Sequence, residues 1–371
     1  MTDDTNTTVE SIIDARSRGR PSRRSVLGSV AAMGALAGVP TGVFGRQEDA
    51  DGPGTTAEGG DDLEIVANFE PPSLPENIAI DSAGTVYLST GPAGEIRAVD
   101  PDGGQSSVAT IETGEEGLLL GIALLNGSLY AANAAGDEAF HGAWRVDLDG
   151  DAEPERIAAL PFDETVPNDI IPDPGASDAL LVSDHLGGAI WRVTTDSQAE
   201  PWVSDPSLEP DADAANPVGA DGLAVHPDGD VYVDNLDAGS IIRVPVEDGN
   251  AGRPEEVVRD EGLVGADGLA IDEDGAVYVA VNARNEIVRV TPDHDLETVV
   301  AGEGLDFPAD VHFGTTEETT TLYIANFAYG TFLEDEDAAA PSLASIDVGA
   351  RGYFPDANGA GDANETEPAA E

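Results

Sequence analysis

One pattern recurs six times between Leu63 and Phe354, and a chain that repeats itself at this interval has few folds open to it. The clearest copies are Asp221-Gly-Leu-Ala-Val-His-Pro-Asp-Gly-Asp-Val-Tyr232 and Asp267-Gly-Leu-Ala-Ile-Asp-Glu-Asp-Gly-Ala-Val-Tyr278. Each has an anchor residue, a short apolar run, an Asp-Gly turn and a second run opening on Val-Tyr. A third run then ends in Arg-Val, as in Ile241–Val244 and Glu286–Val290. Asp-Gly supplies the positive φ of a tight hairpin, so the runs are antiparallel strands. The anchors are Glu76, Leu120, Asn168, Asp221, Asp267 and Asp310, at intervals of 44, 48, 53, 46 and 43 residues. Repeats of 40 to 50 residues with about four short strands each predict an all-β fold, a six-bladed β-propeller of four-stranded antiparallel blades. The sixth copy lacks an outer strand, and Leu63–Phe69 is expected to supply it, closing the ring and removing the exposed sheet edge.

The 371 residues carry 73 acidic and 16 basic side chains, a formal charge of −57, and all the basic ones are arginine. Repulsion from phosphates excludes a general nucleic-acid partner. With no cysteine there are no disulfides, thiolate metal sites or thiol nucleophiles. An acidic, lysine-free surface on an ordinary apolar pattern, of the haloarchaeal type, points to adaptation to molar salt, where self-repulsion is screened. Most acids are therefore expected to be solvated surface. At the front of the chain, Ser22-Arg23-Arg24-Ser25-Val26-Leu27 and the apolar stretch to Phe44 resemble a twin-arginine export signal. Ala35-Leu36-Ala37 offers a cleavage site, and glycines and Pro40 make the stretch a poor permanent span. The expected layout is a signal region at 1–46, an acidic linker at 47–62, the propeller at 63–354 and an acidic tail at 355–371. The mature protein is expected to be an extracellular or cell-surface monomer without a membrane span.

In a propeller the first strand of each blade is innermost, so the anchors should ring one mouth of the central channel. A second ring is expected where the second strands end, at Thr90, Asn133, Asp184, Asn235 and Asn326, with Asn282 displaced by one. His185 and His312 are placed beside these rings, whereas His226 and His294 are read as loop residues. Convergent carboxylates and amides raise one another's pKa values or require a cation. All-oxygen ligation suits Ca²⁺ first, with Mg²⁺ or Mn²⁺ as alternatives. The Asp-Gly acids Asp102, Asp228 and Asp274 are turn formers, and the recurring arginines are expected in salt bridges at blade edges.

These repeats resemble the senescence-marker-protein/gluconolactonase family of regucalcin-like propellers, and more loosely NHL-repeat proteins. The resemblance rests on Pro75-Glu76 followed by Asp81, on Pro167-Asn168-Asp169, and on the Ala-Asp-Gly anchors at Asp221 and Asp267. It implies one divalent cation on Glu76, Asn168, Asp221 and Asp267. Two positions depart from the family: Asp221 stands where asparagine is usual, and Val166 where an arginine often grips substrate hydroxyls. The implied activity is hydrolysis of a small lactone or ester, with Asp267 or Asp221 deprotonating the attacking water. Asn133, His185, Asn235, Asn282, Asp310, His312 and Asn326 are the candidate substrate contacts. The alternative function is a non-catalytic extracellular propeller that binds a ligand or protein, because the scaffold hosts many functions.

Overall fold

The computed structural model describes residues 63–355 apart from 149–152, 212–213, 215–216, 303 and 317–318. The expected export signal and linker, and the expected tail beyond Pro355, lie outside the described residues. Six four-stranded antiparallel sheets form the expected blades. Their innermost strands are Pro75–Ile80, Leu118–Leu125, Pro167–Pro172, Ala220–Val225, Ala266–Ile271 and Pro308–Phe313, for blades 1 to 6. Each packs against the innermost strands on either side, and blade 6 packs against blade 1, so the ring is closed. The closing strand is Glu64–Asn68, which pairs with Ser342–Asp347 as the outer strand of blade 6.

Burial falls from the channel outward, which explains the sequence pattern. The second strands Val86–Thr90, Val231–Asn235 and Val277–Val281 are buried at every position, because a neighbouring blade covers each face. The outermost strand Gln105–Thr110 has no buried residue. Between first and second strands the turns use Gly229 and Gly275, at φ +91° and +85°, where a Cβ is disfavoured. Arg145, Arg243 and Arg289 pair with acids on adjacent strands, as expected for blade-edge bridges.

The innermost strands share one irregularity that positions the site. After one paired residue, or two in blade 2, each bulges, so that residues such as Glu76 and Asn77, or Asn168 and Asp169, lack ladder partners and turn into the channel. Two insertions interrupt the repeat without a counterpart in the sequence pattern. A hairpin, Val246–Glu247 with Asn250–Ala251, extends blade 4, and a short helix, α1 (Tyr329–Glu334), follows the second strand of blade 6.

Candidate functional site

The bulges create two stacked rings. The upper ring is Glu76, Leu120, Asn168, Asp221, Asp267 and Ala309, which corrects the expected placement of Asp310. In blade 6 Pro308 faces Asn326 as Ala220 faces Asn235 in blade 4, so Ala309 stands where Asp221 stands. Asp310 belongs to the ring below, with Asn77, Gly121, Asp169, Gly222 and Gly268.

That lower ring lies at all six blade junctions and fastens three of them with side-chain hydrogen bonds. Asn77 Oδ1 accepts Ile122 N–H at 2.9 Å, Asp169 Oδ2 accepts Leu223 N–H at 2.6 Å, and Asp310 Oδ2 accepts Ile78 N–H at 2.9 Å. The other three junctions use glycine, because the next blade comes too close for a side chain. A Cβ on Gly121 would lie 2.5 Å from Asn168 O, and one on Gly222 the same distance from Asp267 O. A Cβ on Gly268 would collide with Asp310 itself. Asn77 Nδ2 also reaches across blade 2 to Asp169 Oδ1 at 3.3 Å. Accepting backbone N–H groups across a junction is thus done one residue after the anchors.

The upper ring is short of partners. Asn168 donates its amide to Asp221 Oδ1, and His185 Nε2 lies 3.0 Å from the same oxygen. Asn168 Oδ1 and Asp221 Oδ2 are buried with no hydrogen-bond partner, as is Asp234 Oδ2. Asp267 Oδ2 accepts from Asn282 Nδ2 at 3.1 Å. Burial raises the carboxyl pKa of Glu76, and the charges of Asp221, Asp310 and Asp169 raise it further. Burial does the same to Asp267, followed by Asp221 and Glu76. Asp169 is pushed up to about 6, chiefly by burial. Among the described residues, no three acidic or histidine side chains are gathered closely enough to hold a metal ion.

Asp234 is the site residue that the sequence reading missed. It occupies the position of Ser89 and Ser183, whose hydroxyls accept the bulge N–H groups of Asn77 and Asp169. Asp234 Oδ1 accepts Gly222 N–H at 3.1 Å, and burial followed by Asp221 pushes its carboxyl well up. A charge inside the apolar run Val231–Asn235 was the available signal.

The candidate substrate contacts divide. Asn133 gives both amide hydrogens to Glu112 O and Phe140 O, and Asn235 gives both to Ser207 O and Glu209 O. Asn326 gives both to Gly304 O and Ser342 Oγ. These three fasten loops and have no donor left for a substrate. Asp310 fastens a junction. His185 and Asn282 touch the upper ring. His312 does not: it lies farther along the blade 6 strand, donating Nδ1–H to Phe313 O at 2.6 Å. His226 is half-buried, stacked on Tyr232 at 4.5 Å, whereas His294 is exposed.

The mouth above the upper ring is not open. Leu74, Leu118, Leu120, Val166, Val218 and Phe307 are among an apolar cluster that packs across it. Phe327, Tyr329 and Phe332 stack over this plug, with ring centroids 4.9 and 6.3 Å apart. Phe327 lies against Gly91, where a Cβ would come within 2.7 Å of its ring. Blade 5 contributes no residue to the plug. In that sector Asp267 is partly exposed, while Glu76, Asn168 and Asp221 are buried. Beneath the lower ring the channel opens into a cavity of about 880 Å³, walled by Ile80, Leu125, Val225 and Ile271 and bordered by Tyr353 and Phe354.

A model of the family described as the SMP-30/gluconolactonase/LRE-like region matches residues 221–327, which include Asp221 and Asp267. Three solved structures illustrate the similarity. A streptogramin B lyase is 14% identical with a TM-score of 0.53, over 77% of this chain and 97% of that one. Regucalcin from Agrobacterium tumefaciens, a calcium-binding protein, is 17% identical with a TM-score of 0.57, over 77% and 95%. A gluconolactonase from Xanthomonas campestris is 17% identical with a TM-score of 0.55, over 77% and 89%. Likeness at these identities is a likeness of fold. No curated protein sequence matches the chain.

Proposed function

We propose that the protein is a divalent-metal-dependent hydrolase of the lactonase/esterase type, acting on a small molecule that enters beside blade 5. The observation that carries this reading is the position of Asp267. Of the four proposed ligands it alone is partly exposed, no apolar residue of blade 5 joins the cluster beside it, and Asn282 orients it. The donor chemistry fits a cation: Asn168 Oδ1 and Asp221 Oδ2 are buried oxygens without partners, beside acids that repel one another. Glu76, Asn168, Asp221 and Asp267 would hold it, and it would supply Lewis-acid polarisation of the ester carbonyl. Asp267 takes a proton from the attacking water and returns it to the leaving alkoxide as the carbon–oxygen bond breaks. Asp221, enclosed by Asn168 and His185, holds the geometry. The family match over residues 221–327 and the likeness to a gluconolactonase and a calcium-binding regucalcin support the assignment.

The working context we propose is an exported monomer in concentrated salt, supported by the twin-arginine motif and the charge of −57. Among the described residues no helix is long and apolar enough to cross a membrane. A second reading, a non-catalytic binding propeller, is favoured by the 880 Å³ cavity, which lies on the far side of the lower ring from Asp267.

The test compares two variants of chelator-stripped protein in constant high salt. Added calcium or manganese should raise the melting temperature of the wild type. Asp267→Asn should weaken that rise and lower lactone or ester hydrolysis at least 100-fold, which corresponds to about 2.7 kcal/mol. Asp274→Asn, in a turn of the same blade, should change neither. Equal responses from the two variants would make the ring structural and favour the binding reading. Metal binding without turnover of any lactone or ester would remove the hydrolase assignment alone.

A further inference from the structure

We infer that His185 is a ligand of the same cation, making the site a mixed nitrogen–oxygen one that favours manganese, cobalt or zinc over calcium. The inference rests on the metal reading above and changes the identity of the ion.

His185 follows the second strand of blade 3 and is 3% exposed, yet neither ring nitrogen has a hydrogen-bond partner. Native folds seldom bury a polar side chain in that condition without a ligand to satisfy it. Nε2 lies 3.0 Å from Asp221 Oδ1, close enough for a hydrogen bond but not aligned as one. Two donor atoms bound to one cation at about 2.1 Å each, at angles between about 90° and 110°, lie about 3.0 to 3.4 Å apart. The imidazole and the carboxylate therefore already have the spacing of ligands that share an ion.

Asn168 completes the set. Its amide nitrogen touches Asp221 Oδ1 while its Oδ1 has no partner. The two ends of an asparagine amide are nearly equal in shape, so a half turn presents the oxygen toward Asp221. A cation bound at His185 and Asp221 would meet that amide oxygen once Asn168 draws back from its present contact with Asp221. The backbone around the imidazole is pinned: His185 N–H bonds to Val166 O at 3.0 Å, and His185 O accepts Gly219 N–H at 2.9 Å. Asp184 Oδ1 fastens the flanking Val166 and Leu186 N–H groups. Histidine in this place is thus held on the ring rather than free to swing away. Calcium takes oxygen donors, whereas an imidazole ligand favours first-row transition ions, manganese least and cobalt and zinc more.

The experiment titrates stripped wild type and His185→Gln with Ca²⁺, Mn²⁺ and Co²⁺ by calorimetry in constant high salt. The proton NMR spectrum of the Co²⁺ complex of the wild type is recorded in parallel. Wild type should bind Co²⁺ or Mn²⁺ at least 10-fold more tightly than Ca²⁺, at one ion per chain. His185→Gln should abolish the preference while keeping Ca²⁺ binding. The Co²⁺ complex should display a paramagnetically shifted, exchangeable imidazole N–H, a readout that needs no variant to fold. An unchanged metal order in the variant, or no such signal, overturns the His185 inference and leaves the metal reading standing. Failure of the wild type to bind any of the three ions at one per chain overturns both.

Discussion

Five carboxyl groups around the channel, on Glu76, Asp169, Asp234, Asp267 and Asp310, are raised by burial and by the charges of neighbouring acids, Asp221 in every case among them. Asp169 and Asp310 keep backbone donors, but Asp234 has one acceptor contact and one buried oxygen with no partner. A folded-state pKa above the unfolded one contributes stability that is full below about pH 4 and lost as pH rises through the folded value, which for Asp169 is about 6. The stripped protein should therefore melt at a lower temperature at pH 8 than at pH 5. Asp234→Asn keeps the acceptor for Gly222 N–H and removes a buried charge. It should stabilise the stripped protein at pH 8 by about 1 to 3 kcal/mol and flatten the profile, read from denaturant curves across that range. A variant with the wild-type profile would mean that Asp234 is not the strained member. This acid escaped the sequence reading because a strongly acidic chain makes each carboxylate look like solvated surface. Asp310 misled it differently, since the string Ala309-Asp310 copies Ala220-Asp221 while the pairing register of blade 6 is offset by one residue.

Strands and turns were legible because their physics is local. Asp-Gly at fixed offsets specified the hairpins, and the orphan strand before Glu76 was assigned to the ring closure it makes. Phe69 follows that strand, donates its N–H to Pro341 O at 2.9 Å and packs with Ile78, Leu88 and Leu343 across the seam between blades 6 and 1. Phe69→Ala should cost about 3 to 5 kcal/mol by unzipping the closure, whereas exposed Glu64→Ala should fall within about 0.5 kcal/mol of wild type. Denaturant titration of both checks this, and equal small losses would show that the closing strand does not hold the ring. The plug helix α1 was not legible, because a single six-residue turn has no periodicity to detect and its stability comes from stacking on Phe327.

Taken together, the side chains leave the molecule with a formal charge of −57, offset locally by ion pairs such as those of Arg243 with Asp230 and Glu255. At about 1 M salt the screening length is about 3 Å, and at about 10 mM it is about 30 Å, longer than the spacing of surface acids. Dialysis from molar to millimolar salt should therefore lower the melting temperature steeply, with magnesium at constant ionic strength recovering only the part due to a specific site. A melting temperature independent of salt would refute adaptation to concentrated salt.

From composition and repeat alone follow the blade count, the strand order within each blade, the closure by the first strand and five of the six anchors of the upper ring, Asp310 being the one misplaced. Those are consequences of hydrophobic periodicity and turn chemistry, which act between residues near in the chain. Which acids end up sharing one dielectric environment, which bulge residue faces the channel, and that an apolar cluster packs across one mouth without a residue of blade 5 are set by contacts between blades far apart in sequence, such as Ile78 N–H with Asp310. Burial and Coulomb forces depend on distance in space, so no local reading could assign them.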